Sequence, residues 1–422
     1  MFINAKANLM TFSDFNLSSA ITDAISTQFQ TPTEIQKLAI PAATAGKDLL
    51  ALAQTGSGKT LAFGLPTLQC VDSSSEKIQS VIVVPTRELA IQVSANLHAI
   101  AVTIGVRIVT LCGGVDQTVQ LNELNKAPHI VIATPGRLLD FLNQDVVILN
   151  DVKQLVLDEA DRLLDMGFWP DLQKILRFFL SQYQTMCFSA TMPDNLKTVL
   201  SAILNDPIRI EAQAVNTVVE TINEHLYLVN KGSKAQALIA QIKANDWQQI
   251  LVFISARDNA DALAKKVAKA GITVAALHGD KDQSTREQTL EQFKTNQVQV
   301  LIATDILARG IHIDALPVVV NFDLPLSAPV YVHRVGRTAR AGQSGIAISL
   351  VCHGEANALK AIRELTGRSL TLNELEGFPV TDKPALESDD TSMPKRAKRD
   401  KQANRRSAKK RSSSQFKKKT TR

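Results

Sequence analysis

The chain has 422 residues, 45% apolar and 21% charged, a balance that suits about two to three soluble globular domains and excludes disorder for the chain as a whole. No window approaches the roughly 20 consecutive apolar residues that span a bilayer, and Met1–Phe15 lacks an apolar secretory core, so no membrane association is expected. Cys70, Cys112, Cys187 and Cys352 lie far apart without a Cys-x-x-Cys or Cys/His pair, which excludes a disulfide framework and a zinc module and fits a reducing compartment, the cytoplasm.

The net charge of +6 is unevenly spread. Lys395–Arg422 carries 14 Lys and Arg against the single acid Asp400, leaving 33 basic and 40 acidic residues in 1–394, a net of −7. The segment is rich in Lys, Arg and Ser with one aromatic, Phe416, too little apolar surface to order itself. A disordered basic tail of this kind reads as a solubilising segment or, in preference, as an arm for a polyanion.

Along the chain, short β-branched runs alternate with helix-compatible stretches: 48–53, 81–84, 130–133, 155–157 and 186–188, then 250–254, 274–277, 300–303, 318–321 and 346–351. Buried strands alternating with helices predict parallel α/β sheets, and ten strands predict two domains. Three internal matches support a duplicated unit. Val81–Arg87 lines up with Leu251–Arg257, and Val131–Thr134 with Leu301–Thr304, both 170 positions later; Leu111-Cys-Gly113 lines up with Leu277-His-Gly279 at a shift of 166. The expected organisation is a first domain over 1–211, a polar linker over 212–221, a second domain over 222–370, and a spacer with the basic tail over 371–422.

Chemistry enters at Ala53-Gln-Thr55-Gly56-Ser57-Gly58-Lys59-Thr60, between the first strand and a helix-compatible run. Successive glycine N–H groups can wrap phosphate oxygens at a helix N-terminus, Lys59 can neutralise β/γ-phosphates, and the Thr60 hydroxyl can ligate Mg²⁺. Ala53 stands where the general pattern has Gly, and a structural turn is the competing reading. The strand 155–157 ends in Asp158-Glu159-Ala160-Asp161. An Asp at that strand end would hold Mg²⁺ with Thr60, and a neighbouring Glu could polarise the attacking water. Arg337 and Arg340, three residues apart, would face the same way on one helical turn. They belong to the half without a phosphate loop, so they could complete a γ-phosphate site only across a cleft.

Asp158-Glu-Ala-Asp161 resembles the signature of the DEAD-box RNA helicases, and the chain is similar to that family from about Phe12 to Gly367. Phe29-x-x-Pro32-Thr33-x-Ile35-Gln36 resembles the family's Q motif, which implies that Gln36 reads adenine and Phe29 stacks on it; Gln28 replaces a usual Gly. Pro85-Thr86-Arg87, Gly113-Gly114 and Thr134-Pro135-Gly136-Arg137 resemble contacts to the RNA backbone. Ser189-Ala-Thr191 resembles the element coupling hydrolysis to strand separation, together with Asp161 and His333. In the second half Phe253, His278-Gly279 with Gln283 and Arg286, Thr304-Asp305, Arg309-Gly310, and His333-Arg-Val-Gly-Arg337-Thr-Ala-Arg340 match further motifs. The resemblance implies two tandem RecA-like domains flanking an ATP cleft, with ATP and Mg²⁺ as cofactors. It also implies RNA across both halves at Pro85, Thr86, Arg87, Gly113, Gly114, Thr134–Arg137, Arg286 and Thr304, and Gly310, Arg337 and Arg340 on the nucleotide.

Backbone N–H groups and hydroxyls suit phosphate and 2′-hydroxyl contacts better than base edges, so binding independent of sequence is expected. Two departures are noted: His312 stands where an Asp ribose contact is usual, and Ala339 replaces a Gly. The expected activity is an RNA-stimulated ATPase that opens short duplexes, with ribosomal or ribonucleoprotein assemblies as partners at the level of the family. A DNA-directed helicase and an ATP-gated RNA clamp are the alternatives.

Overall fold

The protein is described by a computed structural model over residues 10–26, 29–53, 56–180, 182–212, 222–305, 316–338 and 344–382. The expected linker, apart from Ala212, and the basic tail Lys395–Arg422 lie outside the described residues.

The first lobe holds a seven-stranded sheet built from β1 (Leu49–Leu52), β2 (Ser80–Val83), β3 (Ile108–Leu111), β4 (Ile130–Ala133), β5 (Gln154–Leu157), β6 (Gln184–Ser189) and β7 (Ile208–Glu211). The second holds β8 (Ile222–Leu228), β9 (Ile250–Ile254), β10 (Val274–Leu277), β11 (Val300–Thr304), β12 (Val318–Asn321), β13 (Gly345–Val351) and β14 (Leu372–Glu374). The spatial orders are β3-β4-β2-β5-β6-β1-β7 and β10-β11-β9-β12-β13-β8-β14. Numbered from β8, the second order repeats the first at every place: β8 stands where β1 does, β9 where β2 does, and so on through β14. All three sequence matches fall on equivalent strands, so the duplication holds in three dimensions.

Both faces of each sheet are covered, which is why the strands read as continuous apolar runs. On β2, Val81 and Val83 point into one core cluster and Ile82 with the following Val84 into the other. Ile250, Val252 and Ile254 on β9 face one cluster while Leu251 and Phe253 face its opposite.

The ten expected strands are all present, and four more join them. β3, β7 and β14 are short edge strands, and β7, Ile-Arg-Ile-Glu, buries only Ile210. β8 lies inside the sheet yet reads Ile-Asn-Glu-His-Leu-Tyr-Leu, because Glu224 is satisfied by the Tyr331 hydroxyl at 2.7 Å and by Arg368. The expected domain end at 370 is too early. β14 pairs in parallel with β8, and Asn230 reaches forward to Thr381, its Nδ2 donating to the Thr381 hydroxyl at 2.9 Å and its Oδ1 accepting from the Thr381 and Asp382 amides. Both lobes belong to one compact unit that ends at Asp382.

Candidate active site and nucleic-acid interface

In a parallel sheet, ligands meet the carboxyl ends of the strands. The sheet order divides the motif residues of the first lobe into two blocks. The phosphate loop, the Asp-Glu-Ala-Asp turn and Ser189-Ala-Thr191 follow β1, β5 and β6, which are neighbours. Pro85-Thr-Arg87, Gly113-Gly114 and Thr134–Arg137 follow β2, β3 and β4, also neighbours. The residues expected on the nucleotide and those expected on RNA therefore occupy adjacent halves of one sheet end.

In the nucleotide half, the helix Lys59–Cys70 opens directly after Gly58, whose φ is +96°. A Cβ at Gly58 would lie 2.5 Å from Gln36 Nε2 and 2.8 Å from Thr33 Oγ1, so only glycine fits. Gln36 Oε1 accepts from the Thr33 amide at 2.9 Å, closing a capping box on the helix Glu34–Thr44, and its Nε2 donates to the Gly58 carbonyl at 3.0 Å. The Q-motif glutamine thus braces the phosphate loop while it caps its own helix, and only the capping is signalled by the Thr-x-x-Gln spacing. Phe29 is 43% exposed, an aromatic surface open for stacking. Thr55, Gly310, His312 and Arg340 lie outside the described residues.

Lys59 is buried, and Nζ has no hydrogen-bond partner among the described residues. Burial lowers its pKa, Asp158 and Asp161 oppose that, and the charges of Arg162 and Arg337 lower it further. Arg337 belongs to the second lobe, so its charge is felt at the phosphate loop across the cleft. Burial raises the Asp158 carboxyl, with Lys59 and Arg162 opposing. The Asp158 carboxylate and Thr60 hydroxyl are hard oxygen donors of the kind Mg²⁺ takes beside substrate phosphates, and the buried Lys59 ammonium suits the same phosphates. The residues present therefore fit Mg²⁺ and ATP.

Glu159 has φ +51° and forms an ion pair with Arg162, whose side chain is fully buried. Arg162 is a site residue that the motif comparison passed over; its place three residues after Glu159 was the available signal.

Asp161 joins the lobes. Its Oδ2 accepts from the Thr191 amide at 2.9 Å and the Thr191 hydroxyl at 2.5 Å, and lies 3.0 Å from His333 Nε2. Ser189 Oγ accepts from the Asp161 amide at 3.3 Å and donates to the Thr191 carbonyl at 2.8 Å. Burial would raise the Asp161 carboxyl, but the His333 charge and the bonds from His333 and Thr191 hold it well below the usual carboxylate range.

The expectation that Arg337 and Arg340 share a helical turn reaches outside the described residues at Arg340, and Arg337 itself lies beyond the helix. The helix Ala328–Val335 ends at Gly336, and the Thr338 hydroxyl donates to the Leu316 carbonyl at 2.5 Å while the Leu316 amide donates to Arg337 O at 3.2 Å. Arg337 is therefore aimed by a turn bridged to Leu316. Its neighbour Arg334, unassigned from sequence, grips Asp305 with Nε at 2.6 Å and Nη2 at 2.7 Å, and donates to Asn321 Oδ1 and the Asp323 carbonyl.

In the other half, a cavity of about 350 Å³ crosses both lobes, lined by Pro85, Thr86, Arg87, Gly113, Gly114 and Thr134 from the first and by Gly279 and Arg286 from the second. Glu88, Met166 and Phe168 also line it, unforeseen because they follow motifs instead of lying in them. The helices Arg87–Thr103 and Pro135–Asn143 begin here, presenting main-chain N–H groups to an anion. Arg87 Nη1 donates to Gly113 O at 3.4 Å and Arg137 Nη1 to Val115 O at 3.1 Å. Gly136 has open space where a Cβ would stand. Arg286 Nη1 lies 3.9 Å from Glu88 of the first lobe. Thr304 ends β11 and is buried, and of the other residues expected on RNA Pro135, Gly136 and Arg137 are not among those that line the cavity. No helix among the described residues is long and apolar enough to cross a membrane.

Residues 33–199 match the DEAD/DEAH box helicase family and residues 233–342 the helicase conserved C-terminal domain. The chain is 39% identical over 362 residues to the DEAD-box ATP-dependent RNA helicase CshA of Bacillus licheniformis, covering 86% of this chain and 74% of that one. Among solved structures, Saccharomyces cerevisiae Dbp5 bound to RNA and ADP BeF3 superposes with a TM-score of 0.77 at 29% identity, over 86% of this chain and 95% of that one. A Dbp5 structure bound to Nup159, Gle1, IP6 and ADP gives 0.57 at 27% identity, over 85% and 95%. The arrangement of the lobes is therefore closer to that of the RNA-bound relative. The chain belongs to the bacterial-type DEAD-box helicases, ATP-hydrolysing enzymes that act on RNA.

Proposed function

We propose that this helicase opens short RNA duplexes locally by gripping one strand across both lobes, with RNA-stimulated ATP hydrolysis releasing the grip. The buried Asp161–His333 contact supports this reading most directly, because it ties the acidic turn beside the nucleotide to the second lobe. ATP that touches both lobes favours the closed arrangement by its differential affinity, and the RNA groove is complete only when the lobes meet. Lys59 binds the β/γ-phosphates, Glu159 orients and accepts a proton from the attacking water, and Arg337 with Arg340 neutralises charge in the transition state. Thr60 and Asp158 would hold Mg²⁺, which would supply positive charge beside the phosphates. Phe29 stacks on the base beside the loop that Gln36 braces.

On the RNA side, the amides at Gly113, Gly114, Gly136 and Arg137 hold backbone phosphates and Arg87 and Arg286 flank them, without reading bases. The tail Lys395–Arg422 adds an RNA anchor, and the working site is the cytoplasm, on RNA in ribosomal or other ribonucleoprotein assemblies.

The test follows separation of a labelled duplex under single and multiple turnover, with ATP and with a non-hydrolysable analogue. Glu159→Gln is expected to bind ATP and RNA and to separate strands at most once. RNA-stimulated ATPase surviving in a fragment ending at Ala212 would overturn the two-lobe site.

A further inference from the structure

The duplication lets the two lobes be compared strand by strand. Leu52 ends β1 paired with Ser189 of β6, and Leu228 ends β8 paired with Val351 of β13. The helix after β1 opens at Lys59 and the helix after β8 opens at Lys234. The first connection ends Gly-Ser-Gly-Lys59 and the second Gly-Ser-Lys234, one residue shorter. Both lysines are buried, at 6% and 2% exposure. The second lobe has kept the lysine of a phosphate loop.

What the two lysines meet is different. Lys234 Nζ donates to Glu355 Oε2 at 2.7 Å and to the Phe322 carbonyl at 2.8 Å, and lies 3.6 Å from Asp323 Oδ1. Phe322-Asp323 follow β12 as Asp158-Glu159 follow β5, since β12 and β5 hold the same place in their sheets. Glu355 comes from the turn after β13, the counterpart of the Ser189–Thr191 turn after β6. Its carboxylate also accepts from the Leu324 amide at 2.8 Å and the Cys352 amide at 2.9 Å. An ammonium and two main-chain N–H groups around one carboxylate form an anion cradle filled by the chain itself.

We propose that Lys234 is a positioning residue for the ATP cleft: it is the second lobe's copy of the phosphate lysine, held by the Glu355 carboxylate in place of a phosphate, and the pair fixes the segment Phe322–Ser327 that sets the helix carrying His333 and leading to Arg337. That segment is fastened at successive points. Lys234 holds Phe322 O and Glu355 holds Leu324 N. The Ser255 amide donates to Asp323 Oδ2 at 3.0 Å, and Arg334 Nη1 donates to Asp323 O at 2.5 Å. At its far end Ser327 Oγ donates to Asp165 of the first lobe at 3.3 Å. Arg334 adjoins His333 in the same helix, so displacement of the segment moves the group that bonds Asp161. The inference rests on reading Lys59 as the phosphate lysine, but the melting readout of its test needs no ATP.

The test is chemical rescue with sulfate on the full chain. Glu355 is 17% exposed at its side chain, so a small anion can reach Lys234 once the carboxylate is removed. Glu355→Ala should lower the melting temperature by roughly 6–12 °C and cut RNA-stimulated turnover about tenfold, with little change in the ATP KM. Sulfate should restore both, by more than its general stabilisation of the native protein at the same concentration. The double variant Lys234→Met with Glu355→Ala should show only that general effect. If the alanine variant does not fold, Glu355→Gln, which keeps an acceptor for the two amides, enters the same assay. Equal sulfate increments in all proteins, or native turnover in the Glu355 variants, would overturn the proposal. Retained ATP binding in Lys59→Ala beside an intact sulfate rescue would instead refute the reading of Lys59.

Discussion

Removing the His333 imidazole should make lobe closure far harder while leaving ATP binding to the first lobe intact. Both side chains of the Asp161–His333 pair are 1% exposed, so solvent screens little of the contact. Breaking a buried pair by deleting one partner costs about 3–5 kcal/mol. Asp161 would keep its two bonds from Thr191 and the nearby Lys59 charge, which places the loss at the lower end, about 3 kcal/mol. That corresponds to roughly 150-fold in the closing equilibrium. Energy transfer between dyes reads closure directly, with cysteines at exposed Gln144 and Lys294 and the exposed native Cys70 replaced. His333→Ala should need correspondingly more RNA to close in the presence of a non-hydrolysable ATP analogue, and His333→Gln, which keeps an N–H donor, should recover part of the loss. Closure of His333→Ala at the native RNA concentration would refute the argument that this contact carries the coupling.

Gly58→Ala should weaken nucleotide binding by about tenfold or more in a fluorescent-nucleotide titration, since φ +96° disfavours a side chain and the new Cβ would displace Gln36. Stability should fall as pH drops below about 6.5 through His129. Burial holds its imidazole below the usual value, Nδ1 accepts from the Arg107 amide at 3.0 Å, and Nε2 donates to Ser75 O at 2.8 Å, so the folded state favours the neutral ring while the unfolded chain takes the proton. Urea melts of His129→Gln at pH 5.5 and 7.5 should show a smaller pH difference than the native chain, from a lower starting stability. Deleting Lys395–Arg422 should flatten the salt dependence of RNA binding and leave ATPase at saturating RNA unchanged: with about half of the cations engaged, the lost slope is about −5 in log K against log salt. An unchanged slope would leave the tail no anchoring role.

Much of the molecule was legible in the chain because its strands are short, buried on both faces and therefore written as unbroken apolar runs. The phosphate loop, the acidic turn and the 170-residue repeat are local patterns, and each lies where its spacing predicts. The polar strand β8 was not legible, since Glu224 is tolerated there only through Tyr331 and Arg368, both more than a hundred residues away. Nor was the end of the second lobe, which depends on β14 finding β8. Gln36 could be read as a capping residue, but its bond to Gly58 required the helix and the loop to meet. The aim of Arg337 is set by a bridge to Leu316 and not by helical spacing. Asp161 with His333, which joins the lobes, and Lys234 with Glu355, inside the second lobe, pair residues 172 and 121 positions apart. Sequence determined which chemical groups this protein carries and at which strand ends they stand. The order of the strands in each sheet, and the approach of the two sheets, decided which of those groups touch, because strand order and lobe contact are energies summed over the whole packed core and leave no mark on any single segment.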